Sequence, residues 1–314
     1  MARDRHGMSS ATLPGASEET ANDGFLRATV RTPEGMGLLV LFAFTLTALA
    51  GYAIFGLRPE NLPDSGPIMA FWPISFRFFA QVHILLGAVV LLIALVRYAR
   101  TRWIAAFAAV YLVSFLSEYF GTGYGIPFGN YEYTALLGHK LGGRVPWVIP
   151  LSWFLMAVPS WALARATFPD TGIDEGGGAR RTAARIVFAA VILTLWDVAL
   201  DPAMSYQAPY YWRWSDAGPY YGMPWINLAG WLLTGAVIFA AFEWLKVGRW
   251  LNAIPIRWLA GYYGVTLLMP VGMIVLEGLW VAVIATLLVY LAAWAFHRSV
   301  TRGPSPKVGA WGKA

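Results

Sequence analysis

The chain alternates long apolar runs with short polar connectors, and the runs predict its architecture. A helix needs roughly 20 mostly apolar residues to cross the hydrocarbon core of a bilayer. Segments of about that length stand at Met36–Phe55, Phe78–Val96, Trp103–Phe120, Trp147–Ala164, Ala183–Leu200, Pro224–Leu245, Ile256–Val275 and Leu279–Phe296. Only Leu276–Gly278 divides the last two, so one long kinked element, and seven spans in all, is the alternative count. No fixed-period repeat is present. The expected fold class is all-α, a polytopic membrane helical bundle of about eight transmembrane helices.

Charge orients the bundle, because Lys and Arg concentrate in cytoplasmic loops. With eight spans, 18 of the 23 Lys and Arg residues fall on one side; Arg58, Arg77, Lys140, Arg144 and Arg213 fall on the other. Both termini are therefore expected in the cytoplasm, with the protein in the cytoplasmic (inner) membrane. The expected plan is a disordered tail over residues 1–35, a helical domain over 36–298 and a second tail over 299–314. The first apolar run begins too late, and lacks the cleavage pattern, to read as a signal peptide.

Composition narrows the chemistry. At 58% hydrophobic and 13% charged residues, with a mean hydropathy of +0.55, the chain is too apolar for an ordinary soluble domain. Zero cysteines exclude disulfides, thiolate metal sites and a cysteine nucleophile. The net charge of +6 is scattered among apolar runs, so no nucleic acid partner is expected. The His-x-x-His and Glu-x-x-His clusters of membrane di-iron enzymes do not occur, so neither a metal nor a cofactor is expected.

Four acids, Glu118, Asp197, Asp201 and Glu277, stand at the outer ends of apolar runs, where acids are costly enough to be functional suspects. Asp197 and Asp201 are four residues apart and share one helix face ahead of Pro202. Stacked acids can differ in protonation, leaving one able to donate a proton; a structural pair that caps a turn and bonds a neighbouring helix is the plainer alternative. Glu118 precedes a glycine-rich loop and can face the same pocket or meet headgroup water. Glu132 reads as a loop residue, Glu277 as an exposed one, Glu243 as the surface partner of Lys246, and His83 as a hydrogen-bonded core residue. Aromatics crowd the outer third, among them Tyr124, Phe128, Tyr131, Tyr133, Trp153, Trp196, Trp212 and Trp214. An interfacial Trp and Tyr belt accounts for most of them, while a subset beside the acids could stabilise a cation.

Several blocks carry a family resemblance: Glu118 with Gly121-Thr-Gly-Tyr-Gly-Ile-Pro-Phe-Gly-Asn-Tyr-Glu-Tyr, Pro146-Trp-Val-Ile-Pro-Leu-Ser-Trp, Trp196-Asp-Val-Ala-Leu-Asp-Pro-Ala-Met, and Tyr221-Gly-Met-Pro-Trp-Ile-Asn-Leu-Ala-Gly-Trp. Through them the chain resembles the bacterial and archaeal membrane carotenoid hydratases, of the bisanhydrobacterioruberin hydratase and gamma-carotene 1′-hydratase type. The resemblance implies addition of water across the terminal 1,2 double bond of an acyclic carotenoid end, giving a tertiary alcohol. That chemistry needs an acid to protonate the alkene, a shielded tertiary cation and a positioned water. Asp197 or Asp201 is the candidate donor, its partner or Glu118 the group that orients or deprotonates water. Tyr131, Tyr133 and Trp196, with Tyr124, Phe128 and Asn130, are candidates for the substrate wall. The implied partners are a lipid-dissolved carotenoid, water, membrane lipids and other carotenoid-biosynthesis enzymes. A carotenoid-end cyclase and a proton-coupled transporter are the alternatives that the acids also suit.

Overall fold

The protein is described by a computed structural model over residues 31–170 and 178–302. Among those residues, eight helices are long and apolar enough to cross a membrane: α1 (Pro33–Gly51), α2 (Pro67–Ala99), α3 (Ile104–Tyr124), α4 (Val148–Thr167), α5 (Gly178–Ser205), α6 (Trp225–Trp244), α7 (Ile256–Leu276) and α8 (Trp280–Thr301). The alternative of seven spans fails at Glu277–Leu279, where Gly278 takes a positive φ of 71° and turns the chain between α7 and α8. Short connections of this kind make successive helices antiparallel neighbours.

Helix ends differ from the hydropathy reading where polar chemistry sets them. The expected tail over 1–35 ends early, because Thr32 caps α1 by accepting from Gly35 N at 3.1 Å and Pro33 occupies the first turn, a favoured start. Glu34 is buried there, held by Tyr98 at 2.9 Å and Arg97 at 3.4 Å. Residues 1–30 and 303–314 of the two expected tails lie outside the described residues, and α8 continues to Thr301. The start of α2 lies before Phe78, at Pro67, because Pro73, Ser75 and Arg77 break the apolar run without breaking the helix.

The α5 helix runs past Pro202 to Ser205. A proline in a helix leaves the carbonyl four residues earlier without its donor. Here that carbonyl is Val198 O, and the Tyr220 hydroxyl donates to it at 2.8 Å. In a bilayer such a freed group must find a partner inside the protein. The substitution keeps Asp201, one residue before the proline, on a helical turn beside Asp197.

The α4 and α5 helices form the most buried part of the bundle. The α5 helix packs against α4, α6, α7 and α8. Tyr262 donates to Gly87 O at 3.0 Å and Tyr263 to Ile192 O at 2.8 Å, tying α7 to α2 and α5. At the opposite end from the acids, buried Arg185 bonds Asp170 at 2.6 Å and Glu243 at 3.4 Å. Glu243 thus pairs with buried Arg185, and among the described residues it forms no ion pair with its expected surface partner Lys246.

Over the acid end lies a two-stranded antiparallel ribbon, β1 (Tyr131–Tyr133) and β4 (Trp212–Trp214), in the register Tyr131 opposite Trp214 and Tyr133 opposite Trp212. A smaller pair joins β2 (Lys140–Leu141) to β3 (Val145–Pro146). Side chains alternate across a strand, so Tyr131 and Tyr133 are buried while Glu132 is exposed and faces Arg213 across the ribbon.

Candidate active site

Two helices and the ribbon bring Glu118, Asp197 and Asp201 together around one pocket. All three are buried, none more than 4% exposed, and among the described residues none has an ion-pair partner. Neutral donors hold them instead, and unevenly.

Glu118, on α3, is closed on both oxygens. Its Oε2 accepts from the Tyr131 hydroxyl in a short bond and from Tyr133 at 2.8 Å; its Oε1 accepts from Trp153 Nε1, on α4, at 3.0 Å. Burial, and then the neighbouring Glu118, push the phenols of Tyr131 and Tyr133 well above the usual tyrosine range, which keeps both hydroxyls protonated as donors. Asp201 is held more fully. Its Oδ1 accepts from Ser205 at 2.8 Å, Trp212 at 3.1 Å and Trp214 at 2.9 Å, and its Oδ2 from Asn227 Nδ2 at 2.9 Å. Each strand of the ribbon thus serves one acid, the tyrosines Glu118 and the tryptophans Asp201.

Asp197 accepts a bond from Asn227 Nδ2, at 2.7 Å, and stands out as the acid with the fewest donors. The same Asn227 nitrogen therefore bridges the two aspartates from α6, where it is buried. Hydrogen bonds to a charged acceptor are strong, and several of them favour the ionised form. By this measure Glu118 has three donors, Asp201 four and Asp197 one, so hydrogen bonding favours the ionised form less at Asp197 than at the other two.

The acids surround a pocket of about 50 Å³, above the ~10–15 Å³ that one water requires. Ile149, Ser152, Leu200 and Trp212 line it and also line a second, apolar cavity of about 310 Å³. The larger cavity lies between α1, α2, α4, α5 and α7, with aromatic rings such as Phe71, Trp72 and Phe79 on its wall. A polar chamber and an apolar one thus share a wall.

The other residues named from the sequence divide by position. Phe128, Tyr131 and Tyr133 line the acid pocket. Trp196 lines the apolar cavity instead, its Nε1 buried without a partner. Tyr124 is placed away from both, 67% exposed, with Arg144 at 5.7 Å from its ring. Asn130 is also exposed and bonds Asp216 at 2.8 Å. Tyr124 ends α3 and Asn130 stands in the loop that follows; both face outward, whereas Phe128 is drawn inward. A Cβ on Gly121 would stand 2.8 Å from the Phe128 ring and one on Gly230 2.6 Å from it, so the ring fits only because both helices offer glycine. His83 and Glu277 also depart from expectation. His83 Nε2 is buried without a partner on the apolar cavity, and Glu277 is half-buried, accepting from Tyr52 at 2.6 Å.

Five site residues escape a reading by charge and belt: Trp153, Ser205, Trp212, Trp214 and Asn227. The alternation Trp212-Arg213-Trp214 repeats that of Tyr131-Glu132-Tyr133, and this period-two pairing is the signal that could have placed both tryptophans on one inward face.

Comparison with known proteins identifies a family. The family model described as "Carotenoid biosynthesis protein" matches residues 79–293, which include every residue of the acid pocket. A bisanhydrobacterioruberin hydratase of Haloarcula japonica is 31% identical over 138 residues, and the match covers 44% of each chain. The chain thus spans under half the length of that relative. No solved structure matches.

Proposed function

The chain belongs to the carotenoid biosynthesis protein family and is an integral membrane protein, and from that premise we propose that it is a hydratase. It adds water to the terminal 1,2 double bond of an acyclic carotenoid end. The observation that carries this reading is the shared wall between a water-sized pocket ringed by three buried acids and an apolar cavity. The hydratase name of the Haloarcula relative supports the same reaction class.

In the proposed reaction the end group occupies the apolar cavity beside Leu200 and Ile149. Asp197, the acid with the fewest donors, gives its proton to the alkene CH carbon, forming a C–H bond and leaving a tertiary cation on the neighbouring carbon. Glu118 and Asp201, fixed as carboxylates by their donors, stabilise that cation electrostatically without reorganising. Water in the acid pocket attacks the cation through oxygen, and one of the two carboxylates takes the released proton. Transfer within the cluster returns the proton to Asp197, so no external acid is consumed.

The proposal includes the setting. The excess of basic residues at the end opposite the acids supports cytoplasmic tails and a site facing the outer side of the cytoplasmic membrane. A carotenoid, about as long as the ~30 Å hydrocarbon core, would present its tip there to water, and other carotenoid-biosynthesis enzymes would supply it. The test is incubation of the purified protein in lipid nanodiscs with an acyclic carotenoid. A product heavier by one water supports the reading. An isomer of unchanged mass with a ring at its end would replace it with cyclisation.

A further inference from the structure

Building on the hydratase reading, we propose that the unreacted length of the polyene leaves the bundle sideways, through a portal between α1 and α2 at Thr47 and Gly51, and remains in the bilayer. The apolar cavity has a volume of about 310 Å³, at the low end of the ~300–1,000 Å³ that ligand pockets span. A rigid polyene of bilayer length overhangs it.

The opening lies at the acid end of α1. Thr47 and Ile68 both line the cavity and are both exposed, which marks where its wall meets lipid. Between them Gly51 also lines the cavity, and a Cβ built on it meets nothing within 4 Å. Immediately after it α1 widens into a π-helical turn, Tyr52–Gly56, a distortion often found at functional sites. Tyr52, Phe55 and Gly56 of that turn line the same space.

The lining chemistry selects a hydrocarbon occupant over water. Thr47 Oγ1 donates to Ala43 O at 2.9 Å, Ser75 Oγ to Trp72 O at 2.8 Å and Ser152 Oγ to Ile149 O at 2.8 Å, so these three hydroxyls are turned to carbonyls of their own helices. Tyr52 and Tyr211 donate to Glu277 and to Phe76 O, which leaves His83 Nε2 and Trp196 Nε1 as the wall's unpartnered buried polar atoms among the described residues. A water column needs two to four polar partners for each molecule. Phe55, Phe71 and Trp72 offer instead ring faces and edges for a flat conjugated chain.

The test places bulk in the mouth. Gly51→Trp and the milder Gly51→Leu are compared with Ala50→Trp, a neighbouring exposed position that does not line the cavity. Polyene binding is read by quenching of tryptophan fluorescence in nanodiscs, beside hydration of a long polyene and of a ten-carbon terpene with the same end group. Both Gly51 variants should weaken polyene binding by about tenfold or more and lower the ratio of long- to short-chain hydration, while Ala50→Trp matches wild type. Polyene binding at wild-type strength in a folded Gly51→Trp or Gly51→Leu would overturn the portal. A photoreactive residue at Thr47 gives a measurement free of bulk. Capture of polyene at Thr47 and not at Ala50 supports the portal; equal capture at both, or none at Thr47, overturns it. If the wild type hydrates nothing yet Thr47 captures polyene, the hydratase reading falls and the portal stands.

Discussion

Removing a single oxygen, by Tyr133→Phe, tests whether Glu118 is a carboxylate. The Tyr133 ring packs against Tyr131 and Trp212 at centroid distances of 5.4 and 6.0 Å, and a phenyl ring keeps both contacts. What is lost is one donor at 2.8 Å to Glu118 Oε2. A hydrogen bond to a charged partner contributes about 1.5–3 kcal/mol, whereas neutral bonds between membrane helices average about 0.6 kcal/mol. With Glu118 ionised, Tyr133→Phe should cost about 2 kcal/mol. The assay is a double-mutant cycle with Glu118→Gln, each variant followed by reversible unfolding in detergent. Because the glutamine oxygen still accepts a neutral bond of about 0.6 kcal/mol, a coupling energy of about 1.4 kcal/mol is expected. Coupling of about 0.6 kcal/mol or less would mean a neutral Glu118 and would refute the division of the acids into two carboxylates and one proton carrier.

Asp197→Asn should lower hydration by about 10²–10⁴-fold, the usual contribution of a general acid, while unfolding stays within about 1 kcal/mol of wild type because one donor bond is affected; product yield and melting curves check both. Asn227→Ala removes two bonds to acids and should cost about 3 kcal/mol together with activity, read from the same two measurements. Glu277 predicts a pH effect. Burial raises its carboxyl to about 7, with the Tyr52 hydrogen bond opposing. A folded pKa above the unfolded value gives stability that is present below the ordinary carboxyl range, near 4.5, and lost as pH rises through about 7. Unfolding followed from pH 4 to 8 should therefore show wild type weakening with pH and Glu277→Gln weakening less; parallel curves would contradict it.

Spans and acids were legible in the sequence because both follow from the cost of placing polar groups in hydrocarbon. Eight apolar runs became eight helices, and Glu118, Asp197 and Asp201 converge on one pocket. The ends of α2 and α5 were not legible, since hydropathy sees Pro73, Arg77 and Pro202 as breaks while tertiary partners such as Tyr220 repair them. The donor set was hidden for another reason. Trp212 and Trp214 look like belt residues until the ribbon pairs them with Tyr131 and Tyr133, a contact across some 80 residues that composition cannot show. Tyr124 and Asn130 belong to the same informative block but face outward, because Tyr124 lies on the exposed face of the last turn of α3 and Asn130 precedes the strand whose alternation turns Tyr131 and Tyr133 inward.

Incubation of the purified protein with lycopene in water enriched in oxygen-18 tests the central claim most directly. The account predicts a tertiary alcohol that carries the labelled oxygen at the chain terminus, formed by wild type and not by Asp197→Asn. Recovery of lycopene unchanged, or of a cyclised isomer without label, would contradict it.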